Sequence, residues 1–215
     1  MSRHFDITAH DYDDQEKVDR AADVAAAVIA TVPLTGQERV LEYGAGTGLV
    51  AQALQGDVGG LTLADTSSGM RQVAGQKVAD GRLKAGTRVV DLDLTAVGPD
   101  GLPPGDTGQA LADAPFDLVL SSLVLHHIPD LTPVLAGFHR LLAPGGHVAI
   151  ADLDTEDGSF HAHLHDFDGH DGFDRHGLAE ALRAAGFTGV FVQDCSTVVK
   201  DGQDFPVFLA VARRA

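Results

Sequence analysis

Residues 40–54 read VLEYGAGTGLVAQAL, and they decide the fold. The β-favouring run Arg39–Tyr43 leads straight into Gly44, Gly46 and Gly48. A helical pattern follows, with Leu49, Val50, Ala53 and Leu54 as its apolar positions. Glycines between a strand and a helix let backbone approach a ligand closely, because no Cβ stands in the way. The free N–H groups at the helix start favour a carboxylate or phosphate at the same spot. Such a turn belongs at the C-terminal edge of a parallel sheet and marks a nucleotide-type site.

Spacing narrows the ligand. A dinucleotide fingerprint, G-x-G-x-x-G/A, requires a small residue at position 49, where Leu49 stands, and the third glycine comes one place early as Gly48. Glu42, two residues before the first glycine, would repel a pyrophosphate but can hold an ammonium group. The pattern E-x-G-x-G-x-G resembles motif I of the class I S-adenosylmethionine (SAM)-dependent methyltransferases. Their ligand carries an amino group and a carboxylate and no phosphate.

The composition agrees with an ordinary globular chain. At 215 residues a single domain spanning 1–215 is expected, with 44% apolar residues and no apolar run of membrane-spanning length. The start, MSRHFDITAHDYDD, is acidic and lacks an apolar h-region, so it reads as neither signal nor transit peptide. One cysteine, Cys195, excludes an intramolecular disulfide and a Cys-based metal knuckle, and fits a cytoplasmic location. Fifteen basic against 31 acidic residues give a formal charge of −16, which disfavours nucleic acid as a partner.

In chain order, Phe5–Asp13 reads as an ordered lead-in with Phe5 and Tyr12 as anchors, and Gln15–Thr31 as an amphipathic helix closed by Pro33 and Gly36. Residues 1–35 would then form an N-terminal lid and helix; a core contact is the plainer role for Tyr12. Gly59–Asp65 is a second strand, ending in an acid about 20 residues past the glycine loop, the offset at which Rossmann-like folds bind ribose hydroxyls. Thr66 or Ser67 would cap the next helix, and Met70 lies within its first turn. Thr87–Asp91 is a third strand, and the Gly- and Pro-rich run Val97–Asp113 a surface excursion. Pro115–Ser121 is a fourth strand, apolar enough to be covered on both faces, and a helix near Leu131–Leu142 follows it. Ala143–Leu153 is a fifth strand after a Pro-Gly-Gly turn. Arg175–Ala185 is a helix stopped by Gly186, and Gly189–Asp194 and Phe205–Val211 are two further strands.

The run FDLVLSSLVLHHIPD followed by LLAPGGHVAIADLD makes the resemblance more specific. It is similar to the motif IV to motif VI region of small-molecule SAM methyltransferases, the broad group that includes the ubiquinone- and menaquinone-biosynthesis enzymes. With motif I and Asp65, the likeness covers roughly residues 5–155. It implies a Rossmann-like α/β sandwich with a mostly parallel seven-stranded sheet and a C-terminal antiparallel hairpin. It also implies methyl transfer from SAM to a small molecule, leaving S-adenosylhomocysteine. Glu42 would take the SAM amino group, with Gly44, Ala45 and Gly46 giving backbone access. Asp65 and Thr66 would flank the ribose, Met70 would pack on the adenine or simply in the core, and Asp91 with the Leu92 N–H would bind the adenine edge. Asp93 competes with Asp91, and Ser121 or Ser122 would line the pocket near the methionine end. Residues 154–175 would form a substrate-facing loop.

In-line displacement of a methyl from a sulfonium chiefly requires alignment, so a base is needed only for a protonated nucleophile. His126 and His127, just past the fourth strand, are the catalytic candidates; the rival reading has one packing and the other closing a turn. His161, His163, His165 and His170 with Asp166, Asp168 and Asp171 match no established ligand signature, so no metal is expected; His161 is the member nearest the fifth strand. Two other functions compete: a SAM-sensing protein without catalysis, and an NAD(P)-dependent oxidoreductase, which Leu49 and Glu42 disfavour.

Overall fold

The computed structural model describes residues 9–96, 107, 111, 113–162 and 167–215. Phe5, His163, His165, Asp166 and most of the 97–113 excursion lie outside the described residues.

Seven strands form one sheet: β1 Arg39–Tyr43, β2 Gly60–Ala64, β3 Arg88–Val90, β4 Phe116–Ser122, β5 Leu142–Leu153, β6 Phe187–Lys200 and β7 Gln203–Arg214. Their order is β3-β2-β1-β4-β5-β7-β6. The pairs from β3 through β5 are parallel, whereas β7 runs antiparallel to both β5 and β6. The expected architecture, including the terminal hairpin, is therefore the one adopted. The chain progresses outward in both directions from β1 and β4, and that reversal opens a crevice at their C-terminal ends, where open α/β sheets bind ligands.

Helices cover both faces: α1 Gln15–Thr31, α2 Leu49–Leu54, α3 Ser68–Ala79, α4 Thr132–Leu141 and α5 Arg175–Ala184. Alternation along the strands explains the two layers, since successive side chains point to opposite faces. Val40, Leu61, Leu63, Leu118 and Leu120 join Val24 and Val28 of α1 and Leu54 of α2 in one core cluster. Their strand neighbours Leu41, Ala64, Val119, Val148 and Ile150 join Phe138 of α4 and Leu182 of α5 in the other. Short polar residues start the helices: Asp14 accepts from the Lys17 N–H, Ser67 from Met70 and Asp174 from Gly177. Ser67, rather than Thr66, is thus the cap of α3.

The last two strands are longer than their sequence pattern suggested. Asp201 and Gly202 both hold positive φ, 52° and 80°, so they form the tight turn that Asp-Gly favours and carry the pairing from Lys200↔Gln203 down to Phe187↔Arg214. Among the described residues no helix is long and apolar enough to cross a membrane.

Candidate functional site

A cleft of about 300 Å³ opens at the C-terminal ends of β1, β2 and β4. The glycine turn makes its floor. Gly44 has φ +68°, and a Cβ there would overlap the Val124 methyls. Gly48, φ +79°, starts α2, and a Cβ there would come within 2.8 Å of Leu63 Cδ1. Both positions combine a left-handed backbone with close packing, which only glycine tolerates without strain.

Two carboxylates hold the turn in shape. Asp65, just beyond β2, accepts the Gly46 N–H at 2.8 Å through one oxygen and the Ser67 N–H at 2.8 Å through the other. It joins the strand tip, the glycine turn and the start of α3. Glu42, at the end of β1, is 3% exposed and accepts the Ala51 N–H at 2.9 Å. Burial pushes its carboxyl up to about 8, beyond what the Ala51 hydrogen bond recovers, with the nearby Asp65 charge pushing the same way. An acid so placed accepts a proton readily when alone and gives it up when a cation arrives.

Of the residues singled out from sequence, Glu42, Gly44, Ala45, Gly46, Asp65, Thr66, Met70, Leu92 and His127 line this cleft. Asp91 and Ser121 do not. Strand β3 stops at Val90, and Asp91 turns outward to pair with Arg71 at 3.0 Å, leaving Asp93 as the acid on the cleft wall. Ser121 is buried within β4, on the face opposite its neighbour Ser122, which lines the cleft. On the cleft wall stand Asp93 and Ser122, and not Asp91 and Ser121.

The N-terminal segment closes one side. Tyr12, Lys17, Arg20 and Ala21 all line the cleft, so Tyr12 is more than a core anchor. A buried tie holds the segment down: the Lys77 ammonium, wholly buried on α3, lies 2.6 Å from Asp13 and 3.4 Å from the Thr47 hydroxyl, which donates to Asp13 in turn. Sequence reading missed this trio. Lys77 occupies the apolar face of α3 beside Met70 and Ala74, and that misplaced charge was the available signal.

At the other end stand the histidines. Asp152, fully buried near the end of β5, accepts the Leu125 N–H at 2.9 Å and faces His126 Nδ1 at 2.5 Å. Nδ1 thus faces an acceptor, and Nε2 lies on the far side of the ring. His126 itself is buried behind the cleft wall, with His127 in front of it and ring centroids 4.1 Å apart. Burial and the neighbouring His126 and His161 bring the His127 imidazole down to about 3. His161 completes the group, 5.2 Å from His126 and 5.1 Å from His127 between centroids, and stacks on Phe167. The segment carrying it also donates the His170 N–H to the His126 carbonyl at 2.7 Å, which seats it over the turn Leu125–His127.

Comparison with known proteins reaches the same region. A family model described as "Methyltransferase domain" matches residues 12–191. The biotin biosynthesis bifunctional protein BioCD of Bordetella avium is 34% identical over 159 residues, covering 73% of this chain and 30% of its own length. The chain thus spans less than a third of that relative. Among solved structures, phosphoethanolamine N-methyltransferase 2 of Haemonchus contortus in complex with SAM superimposes with a TM-score of 0.68 at 16% identity, covering 89% of this chain and 52% of the nematode chain. A Haloferax volcanii protein solved with the Trm112 methyltransferase activator gives 0.72 at 22% identity, covering 97% and 96%. These two likenesses concern the fold.

Proposed function

Because this chain belongs to the methyltransferase-domain family, we propose that it transfers the methyl group of SAM to a small-molecule acceptor by in-line displacement. The observation that carries this reading is the convergence of Glu42, Asp65 and Asp93 on one cleft, with the glycine turn between the first two. Three carboxylates suit a ligand with an ammonium group, two ribose hydroxyls and an adenine amino group, and they oppose a pyrophosphate.

SAM supplies an activated methyl on a sulfonium, whose departure leaves a neutral thioether. The chain's own groups then bind and align. Glu42 meets the ammonium, and Arg20 on the facing wall meets the carboxylate. Asp65 accepts from the ribose. Met70 offers a polarizable apolar surface to the adenine and Asp93 accepts at its edge, beside the Leu92 backbone. Tyr12 and α1, fastened through Asp13 and Lys77, exclude water on that side. The acceptor enters from the end where Ser122, Val124 and His127 form the wall. Residues 1–215 are read as one domain, and the single cysteine supports a cytoplasmic setting.

Calorimetry with SAM and NADH, followed by a S-adenosylhomocysteine release assay over phenols, amines, carboxylates and thiols, tests this. SAM binding with turnover on one panel is expected. Preference for the dinucleotide would overturn the cleft assignment. SAM binding without turnover on any panel would make the protein a cofactor sensor.

A further inference from the structure

We propose that His126, His127 and His161 bind one divalent transition-metal ion at the acceptor end of the cleft. Each contributes one ring nitrogen, and the three nitrogens lie within 4.8 Å of one another. Four-coordinate zinc takes imidazole nitrogen at about 2 Å, which puts ligand nitrogens about 3.3 Å apart, so modest ring rotation about the side-chain torsions closes the set.

The surroundings are those of a ligand set rather than of packed aromatics. His126 is 1% exposed, and its Nε2 has no hydrogen-bond partner among the described residues. Asp152 stands on the opposite side of the same ring, 2.5 Å from Nδ1, and is itself anchored by the Leu125 and Leu153 N–H groups. A carboxylate behind an imidazole fixes the tautomer and turns the far nitrogen's lone pair toward a metal, the usual outer-shell arrangement around metal-bound histidine. Were the cluster only core, a phenylalanine at 126 would fill the volume without a buried polar atom left over. Phe160 and Phe167 already supply such packing, with centroids 4.8 Å and 3.9 Å from that of His161.

Three imidazoles favour zinc, iron(II), cobalt or nickel over magnesium or calcium, which prefer oxygen. His127 lies on the cleft wall, so a coordination position left by three protein ligands opens toward the acceptor. An acceptor oxygen bound there, from a phenol, an enol or a hydroxy acid, would lose its proton to solvent more easily and meet the methyl as an oxyanion. This last step rests on the methyltransferase reading above; the ion site does not.

The test uses tag-free full-length protein stripped with chelator and titrated with cobalt(II) chloride, followed by visible absorption. New ligand-field bands saturating at one ion per chain are expected, with His161→Gln and His127→Gln each weakening cobalt binding at least tenfold. Asp152→Asn, acting through His126, should weaken it about tenfold while shifting the bands little. Absence of saturable bands, or bands unchanged in both histidine variants at wild-type melting temperature, would overturn the site. His127 is the least buried of the three, so His127→Gln keeps the test valid if His161→Gln does not fold. SAM calorimetry on the metal-stripped protein separates the two readings: SAM binding that persists with no cobalt site removes the ion and keeps the methyltransferase.

Discussion

Replacing Glu42 by glutamine should stabilise the ligand-free protein and weaken its hold on SAM, and the magnitude follows from one carboxyl. In the unfolded chain that group titrates near 4.5, and in the folded chain near 8. Between those values the folded protein keeps a proton that the unfolded chain has released, so its stability is full below 4.5 and falls as pH rises toward 8. Summed over that window, about 1 kcal/mol is lost by pH 5 and about 3 kcal/mol by pH 7. Glutamine keeps the shape and the acceptor for the Ala51 N–H but never ionises. Glu42→Gln should therefore be more stable than wild type by about 3 kcal/mol at pH 7, roughly 6–12 °C in melting temperature for a chain of this size, and by only about 1 kcal/mol at pH 5. Saturating SAM should reverse the order, because its ammonium repays ionisation in the wild type alone. Scanning calorimetry at both pH values, with and without SAM, measures all four cases. A stability difference that is the same at pH 5 and pH 7 would refute the reasoning.

The other groups at the site give sharper local tests. Asp65→Asn, with one oxygen left to accept from Gly46 or Ser67, should weaken SAM binding about 10–100-fold by calorimetry, the scale of losing hydrogen bonds to a charged acceptor. Asp93→Asn should weaken SAM at least threefold while Asp91→Asn leaves it unchanged, since only Asp93 lines the cleft; the reverse order in a binding titration would restore Asp91. Lys77→Met should cost about 2 kcal/mol in denaturant unfolding, less than a fully buried pair because Asp13 is partly exposed, and should speed amide exchange over residues 9–14.

What the sequence disclosed and what it hid divide along a physical line. Val40–Leu54 was legible because strand, glycine turn and helix are contiguous, so local chemistry alone fixes their relation. Glu42 and Asp65 were legible as cleft residues because the C-terminal ends of parallel strands lie at the ligand edge. Asp91 lies off the cleft wall: once β3 ends at Val90 the strand's alternation no longer governs which side chain points inward, and Arg71, remote in sequence, draws Asp91 away. Ser121 and Ser122 differ by one place in the same strand, and strand periodicity assigns opposite faces without saying which is the cleft. The ends of β6 and β7 extend past the alternating cores of their patterns, through polar residues such as Ser196, Thr197, Gln203 and Asp204, because Asp201-Gly202 makes the tight turn that keeps them paired.

The histidines carry that line furthest. By sequence the adjacent pair His126–His127 reads as a source of a base, and the scattered histidines from 161 to 170 match no ligand signature. Neither set means much alone, because no spacing rule links them. The fold joins one member of the second set to both of the first, and it does so through β5: Asp152 near its end fixes His126, and the chain beyond it carries His161 back onto the same turn. A ligand set assembled from one turn after β4 and one segment after β5 lies where the sheet's topology already puts its crevice. Chemistry at the acceptor end therefore needs no separate scaffold. The imidazoles stand beyond β4 and β5, whereas Glu42, Asp65 and Asp93 stand at or beyond the ends of β1, β2 and β3, which is why altering Asp152 should disturb cobalt binding while leaving SAM affinity intact.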